Sequence, residues 1–310
     1  INRQFRVFGV RTKSKLVDCV MDILTREGSV SIVGADTRRL KRFVEEIAKL
    51  YHGNPYHNFH HAVDVTNTIA WMLTRHVFSQ LLTANQAFWL LITAITHDVD
   101  HPGRNNQWEV YTHSPLAEKY GTSILERHSL DLTRALMAQP EMQFHATMSA
   151  RDVEEGLKLL EDSILATDFA MHRDFLTTFV SALKEEPGAI RNGTPEFQVL
   201  VCKALIKAAD IANTTRPYPQ ARVWGHRVMK EFWAQGELEK ENSFPVGPLN
   251  DPTKVNMNQA QAGFIKFAAM ELYELLAKLD PEMNELVGAL KDNVHQYEAA
   301  EQRARSSLKE

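Results

Sequence analysis

Three stretches of the chain concentrate side chains able to bind a metal or move a proton. The first is Asn54-Pro55-Tyr56-His57-Asn58-Phe59-His60-His61, with Asp64 just beyond. Pro55 suits a helix start, because its missing N–H would be unpaired there anyway. On such a helix His57 and His61 share a face one turn apart, and His60 points about 100° away. Three histidines in five residues fit a surface or capping cluster equally well. The second stretch is an apolar run, AFWLLITAIT, that ends in His97-Asp98-Val99-Asp100-His101 and is stopped by Pro102-Gly103. Four ionisable groups thus stand at the end of a segment apolar enough to be buried. Unpaired charge is costly there, so such groups pair with each other or hold a metal. A helix end reaching solvent would favour histidine but disfavour the two carboxylates.

The third stretch is LVCKALIKAADIAN, where Leu205, Ile206, Ala209 and Ile211 give Asp210 an apolar setting. Asp168, in ILATDFAMH, is placed similarly. Either aspartate alone could be satisfied by a helix cap or an arginine. The order His…His-Asp…Asp across separate helices nevertheless supplies imidazoles and carboxylates, a set suited to zinc and to harder divalent ions.

The elements that would carry these groups are helical nearly throughout. Arg38 to Tyr51 places Leu40, Phe43, Val44, Ile47 and Leu50 on one face. Similar amphipathic patterns recur in AVDVTNTIAWMLTRHVF, FLTTFVSALKEE, FIKFAAMELYELLAKL and ELVGALKDNVHQYEAAEQRARSSL. Asn54-Pro55, Pro102-Gly103, Pro187-Gly188 and Thr194-Pro195 mark helix boundaries. Ser29 to Val33 is the one strand-like run, too short to anchor a sheet. The long irregular stretch is Glu237 to Asn258, with three prolines and Gly247, a length that usually signals function or disorder. The expectation is one all-α domain over residues 1–310, with 1–37 as lead-in and 38–310 as the core.

Bulk properties exclude several classes. The 310 residues carry a formal net charge of −4, which gives no electrostatic footprint for nucleic acid. Two distant cysteines, Cys19 and Cys202, argue against a disulfide framework and for a reducing, cytoplasmic setting. The most apolar run is too short to span a bilayer. The chain opens without Met, which suggests a piece of a longer protein whose regulatory domains are missing.

Five spaced segments give the pattern a family. YHNFHHAVDV (56–65), HDVDHPGRNN (97–106), ILATD (164–168), AADIAN (208–213) and QAGF (261–264) resemble the catalytic domain of class I 3′,5′-cyclic nucleotide phosphodiesterases, within the wider HD phosphohydrolase class. The resemblance implies a compact multi-helix fold and hydrolysis of cyclic nucleotides, cAMP favoured and cGMP accepted, to nucleoside 5′-monophosphates in signal transduction. It implies a tightly held Zn²⁺ on His61, His97, Asp98 and Asp210, and a second ion, Mg²⁺ or Mn²⁺, reached through Asp98. A hydroxide bridging the two ions would attack phosphorus, and His57 would protonate the leaving 3′-oxygen. By the same resemblance His101, Asn106, Glu126 and Thr167 hold waters or the ligands themselves. Tyr56 supports the site, Asn213 and Gln261 address the purine edge, and Phe264 and Val228 clamp the ring. A homodimer is compatible with the family.

The chain departs from the pattern at Ala260, where the family usually has Ser, and at Thr214-Thr215, where many relatives place Pro after the Asn. The 237–258 stretch also differs from the human enzymes and suggests a protozoan source. These departures touch nucleotide preference, not the metal ligands. The competing readings are another HD-type phosphohydrolase and an inactive cyclic-nucleotide-binding module. The first gives His57, Asn213, Gln261 and Phe264 no joint role, and the second does not explain an intact ligand set.

Overall fold

The computed structural model describes residues 7–26, 29–185 and 193–307. Among these residues every regular element is helical, as the patterning predicts. The helices are α1 (Lys13–Thr25), α2 (Ser29–Val33), α3 (Thr37–Leu50), α4 (Phe59–Leu73), α5 (His76–Leu81), α6 (Ala84–Thr96), α7 (Asn106–Tyr111) and α8 (Pro115–Tyr120). They continue with α9 (Ile124–Met137), α10 (Ala150–Ala166), α11 (His172–Glu185), α12 (Pro195–Asp210), α13 (Tyr218–Glu241), α14 (Met257–Phe264), α15 (Met270–Leu279) and α16 (Asn284–Ser307). The expected boundary at Pro187-Gly188 lies outside the described residues.

Most helix starts are written locally. Thr83 and Gln86 form a reciprocal capping box at α6, and Thr194 caps α12 with Pro195 in its first turn. Ser29–Val33 is a short helix and not a strand. Its β-branched residues find no partner strand, whereas a helical turn buries Val30 and Val33 together on one face. The residues expected as a lead-in contribute α1, whose Leu16, Val20 and Leu24 are buried in the same core as α3 and α4.

α4 is the central element. It reads as amphipathic but is buried all round, because α1, α6 and α12 pack on it from different sides. Its polar residues are satisfied inside the core. Arg216 donates to Asp64 Oδ1 at 2.7 Å and to Thr68 Oγ1 at 2.8 Å, both side chains of the ion pair being almost fully buried. α6 in turn packs on α10, and Gly156 of α10 admits the Trp89 ring. A Cβ at Gly156 would lie 1.9 Å from the indole Nε1.

Two later stretches differ from the sequence expectation. α13 runs on to Glu241, so the irregular segment is only 242–256. The helix persists because Glu239 is buried as an anchor, accepting from Gln235, from the Gly247 N–H and from the Asn250 amide at 2.7–3.0 Å. The run after Gly263 is not a regular α-helix. α14 and α15 are joined through a π-helical turn, Ile265–Ala269, which shifts the helical face just after Phe264.

Asp64→Ala removes the carboxylate facing a buried guanidinium and should lower stability by ~3–5 kcal/mol in urea unfolding. The Asp64→Leu/Arg216→Met double variant should recover most of that loss. Gly156→Ala should destabilise by at least ~1–3 kcal/mol, since α6 and α10 must separate to admit the methyl group.

Candidate metal centre and active site

The ends of two helices meet at the start of a third. His61 sits in the first turn of α4, His97 and Asp98 follow the end of α6, and Asp210 is the last residue of α12. Their ligand atoms all lie within 4.8 Å of one another. His61 Nε2 is 3.0 Å from Asp210 Oδ1 and 3.4 Å from Asp98 Oδ2. His97 Nε2 is 3.2 Å from Asp98 Oδ2 and 3.3 Å from Asp210 Oδ1. The imidazoles are buried, whereas both carboxylates keep an edge toward the cleft.

This donor set fits a divalent cation. His97 Nδ1 donates to the Ala94 carbonyl at 3.0 Å, which orients Nε2 toward the carboxylates. Helix C-termini carry partial negative charge, so the ends of α6 and α12 add to that of Asp98 and Asp210. Without a cation, burial disfavours charge on both imidazoles, but the two carboxylates prevail and raise both above the ordinary histidine range. Two imidazoles with two carboxylates suit a tetrahedral metal.

The remaining expected residues fall into smaller groups. Asn106 donates to Glu126 Oε2 at 3.0 Å and accepts from the Leu125 N–H at 2.9 Å. Burial pushes Glu126 up to about 7, with the Asn106 hydrogen bond opposing it. Thr167 caps α10, but its hydroxyl turns back to the Ile164 carbonyl at 2.7 Å and not toward a ligand. Lys207, one turn before Asp210, donates to the Ala166 carbonyl at 2.6 Å and ties the end of α10 to that of α12. Asp168 is a capping aspartate, accepting from the Ala170 N–H and the Ser123 hydroxyl.

His57 is not on α4. Asn58 caps that helix, so His57 precedes it in the turn, and one-turn spacing is not what brings it near His61. Its ring is placed from outside. Glu231 of α13 accepts from His57 Nδ1 at 2.5 Å, and its other oxygen accepts from the Tyr56 and His57 N–H groups at 2.6 and 2.8 Å. Burial opposes charge on His57, but Glu231 outweighs it and lifts the ring to about 9. His101 stacks on His57 with ring centroids 3.9 Å apart, and its Nδ1 accepts from the Gly103 N–H. Burial and the facing His57 push His101 down to about 3. His60 turns away to the Val10 carbonyl, as its helical angle predicts.

Glu231 was not legible as a site residue. Its signal lies in α13, where Glu231, Gln235 and Glu239 recur every fourth residue on the buried face. Acidic groups at core spacing need partners from elsewhere.

The expected base-recognition residues lie on α13, on α14 and in the turn after α12. Asn213 sits in the turn after Asp210, its Oδ1 3.2 Å from the Tyr56 hydroxyl. Thr214 and Thr215 close this turn by donating to the Ile211 and Ala212 carbonyls at 2.6 and 2.8 Å. Gln261 of α14 is buried against Gly225 of α13, where a Cβ would come within 2.9 Å of its amide group. Phe264 lies 5.8 Å from Phe169, which is half exposed, and Val228 is half-buried one turn beyond Gly225.

His97→Ala should abolish tight retention of metal through gel filtration, read by elemental analysis, while circular dichroism stays helical. Asn106→Ala should retain the tightly bound ion.

The chain resembles known proteins along most of its length. A family profile described as 3′5′-cyclic nucleotide phosphodiesterase matches residues 56–290. The mouse high affinity cGMP-specific 3′,5′-cyclic phosphodiesterase 9A is 30% identical over 93% of this chain and 54% of its own length. The Dictyostelium discoideum 3′,5′-cyclic-nucleotide phosphodiesterase regA is 31% identical over 96% of this chain and 37% of its own length. The probable 3′,5′-cyclic-AMP phosphodiesterase pde-4 of Caenorhabditis elegans is 30% identical over 80% of this chain and 38% of its own. The chain thus spans about half or less of these curated relatives. The solved structure of LmjPDEB1 in complex with IBMX superposes with a TM-score of 0.92 at 31% identity, covering 97% of this chain and 92% of that one. The phosphodiesterase domain of the Salpingoeca rosetta rhodopsin phosphodiesterase shares the fold, with a TM-score of 0.91 at 23% identity over 99% of this chain and 94% of its own. From the profile match, the five motifs and the assembled cluster together, this chain belongs to the 3′5′-cyclic nucleotide phosphodiesterase family.

Proposed function

We propose that this chain hydrolyses 3′,5′-cyclic nucleotides to nucleoside 5′-monophosphates, with His61, His97, Asp98 and Asp210 as metal ligands and His57 as the proton donor. The observation that carries this reading is an imidazole, His57, held by a carboxylate from a different helix beside a cluster of two histidines and two aspartates able to hold a cation. Divalent ions bound here would supply an activated water and neutralise charge on the phosphate. Two imidazoles and two carboxylates favour Zn²⁺ at the tight site. Asp98 offers oxygen to a second, harder ion, Mg²⁺ or Mn²⁺, whose other ligands would be mainly waters held by residues such as Asn106 and Glu126.

The protein's own part is the proton. When the 3′ P–O bond breaks, the departing oxygen takes a proton from His57, whose ring Glu231 keeps charged and aimed. His101 backs the His57 ring as a neutral plane. A general acid of this sort contributes ~10²–10⁴-fold. Glu126, raised to about 7, is suited to share a proton with a nearby water.

Nucleotide preference follows from Gln261. Adenine offers an acceptor at N1 and a donor at N6, and guanine the reverse pair at N1 and O6. Among the described residues no hydrogen bond fixes the Gln261 side-chain amide, so both of its orientations are open. Asn213 resembles the residue of adenine-preferring relatives and keeps cAMP ahead. The names of the relatives include cAMP and cGMP enzymes alike. We infer that both nucleotides are turned over, with kcat/KM values within roughly tenfold of each other.

The deciding experiment is hydrolysis of cAMP and cGMP with Mg²⁺, with and without a strong chelator, the products separated chromatographically. The expected result is 5′-AMP and 5′-GMP, both lost on chelation. Zinc-loaded, folded protein that consumes neither nucleotide would refute the assignment.

Removing the Glu231 carboxylate lets His57 lose its proton at lower pH than about 9. Glu231→Gln should therefore move the alkaline limb of the kcat/KM profile to lower pH and reduce kcat by ~10²-fold. A limb that stays in place would remove His57 from the role of acid.

A further inference from the structure

The C-terminal helix α16 bears a stripe of side chains four residues apart, Asn293, Tyr297 and Glu301, which share one face. Each reaches a different element of the base-recognition cleft. Asn293 is 2% exposed and donates both amide hydrogens, one to the Thr214 carbonyl at 2.7 Å and one to the Arg216 carbonyl at 2.8 Å. Those carbonyls belong to the turn that presents Asn213. Tyr297, also buried, packs edge-on against Tyr218, the first residue of α13, which carries Gly225, Val228 and Glu231. Glu301, bonded to Arg305 at 2.7 Å, lies beside the amides of Asn256 and Asn258. Asn256 is the N-cap of α14, and Gln261 follows it on that helix.

Asn213 and Gln261 therefore come from segments far apart in sequence that share one buttress. The Asn213 turn is short, and its Arg216 N–H bond to the Asn213 carbonyl is long at 3.4 Å. Buried carbonyls that lose their donors are costly, so a turn deprived of Asn293 would move to satisfy them elsewhere.

We propose that the α16 stripe, through Asn293 above all, is a positioning device for base recognition: it sets the placement of Asn213 relative to Gln261 without touching substrate. This rests on the reading that those two residues address the purine. A purely structural asparagine would cost stability and leave substrate affinity alone, and that difference separates the two roles.

The test compares wild type, Asn293→Leu and Leu24→Ala, the last a core change in α1, remote from the cleft. KM and kcat are measured for cAMP and cGMP, alongside hydrolysis of bis(p-nitrophenyl) phosphate, a diester without a purine, and bound-metal content. For Asn293→Leu, KM should rise roughly tenfold while kcat changes less than about threefold. The ratio of kcat/KM between the two nucleotides should shift, and the base-free diester and metal content should not. Leu24→Ala should lower thermal stability with KM unchanged. An Asn293→Leu protein that loses stability but keeps the wild-type KM overturns the inference. If that variant does not fold, Glu301→Ala carries the test, with a KM rise of roughly threefold expected and an unchanged KM overturning it. Wild type that cleaves the p-nitrophenyl diester but neither cyclic nucleotide refutes the proposed function itself, and the inference falls with it. Active wild type with an unmoved Asn293→Leu KM refutes the inference alone.

Discussion

The structure is organised around a concentration of negative charge that has to be balanced. Asp98 and Asp210 stand at the C-terminal ends of α6 and α12, where the backbone already carries partial negative charge. Two buried imidazoles face them at 3.0–3.4 Å. Left to itself such an assembly would push its helices apart. Held together by packing, it is a standing demand for cations, met by protons on the histidines or by divalent metal. The enclosing helices make that demand local. α4 is buried on every side, and its own charged residue, Asp64, is neutralised by Arg216 so that it does not compete.

The second organising element is α13. This helix presents Gly225 to Gln261, Glu231 to His57 and Glu239 to the 242–256 segment. His57, Gln261 and the adjacent irregular segment are thereby referred to one helix. Gln235 extends the same link by exchanging hydrogen bonds with Asn105, next to Asn106, which bonds to Glu126. Buried carboxylates such as Glu231 and Glu239 would be liabilities in an apolar core. Here each accepts several hydrogen bonds, and the cost of burial becomes geometric definition.

Much of the site was legible from local sequence. The apolar run before His97-Asp98, stopped by Pro102-Gly103, read as a buried helix with ionisable groups at its end, and α6 is that helix. Asp210 was marked by apolar neighbours at helical spacing, and it ends α12. Where local pattern misled, tertiary burial overrode it. Ser29–Val33 has strand-like residues but no partner strand. α4 carries polar residues that read as a solvated face, yet they are satisfied internally. The stretch after Leu238 looks irregular until Glu239 collects donors from residues beyond it.

The sequence by itself determined the helical class, the ligand set and the order in which its members occur, because these depend on residue type and on spacings within single helices. Only the tertiary structure decided which distant side chains complete them. Glu231 reaches His57 across 174 positions of chain, Arg216 reaches Asp64 across 152, and Asn293 supports the Asn213 turn from 79 positions away. Periodicity along a helix carries no information about what lies on the neighbouring helix. The bond of His57 to Glu231 and the packing of Gln261 on Gly225 are properties of that arrangement, not of any segment read alone.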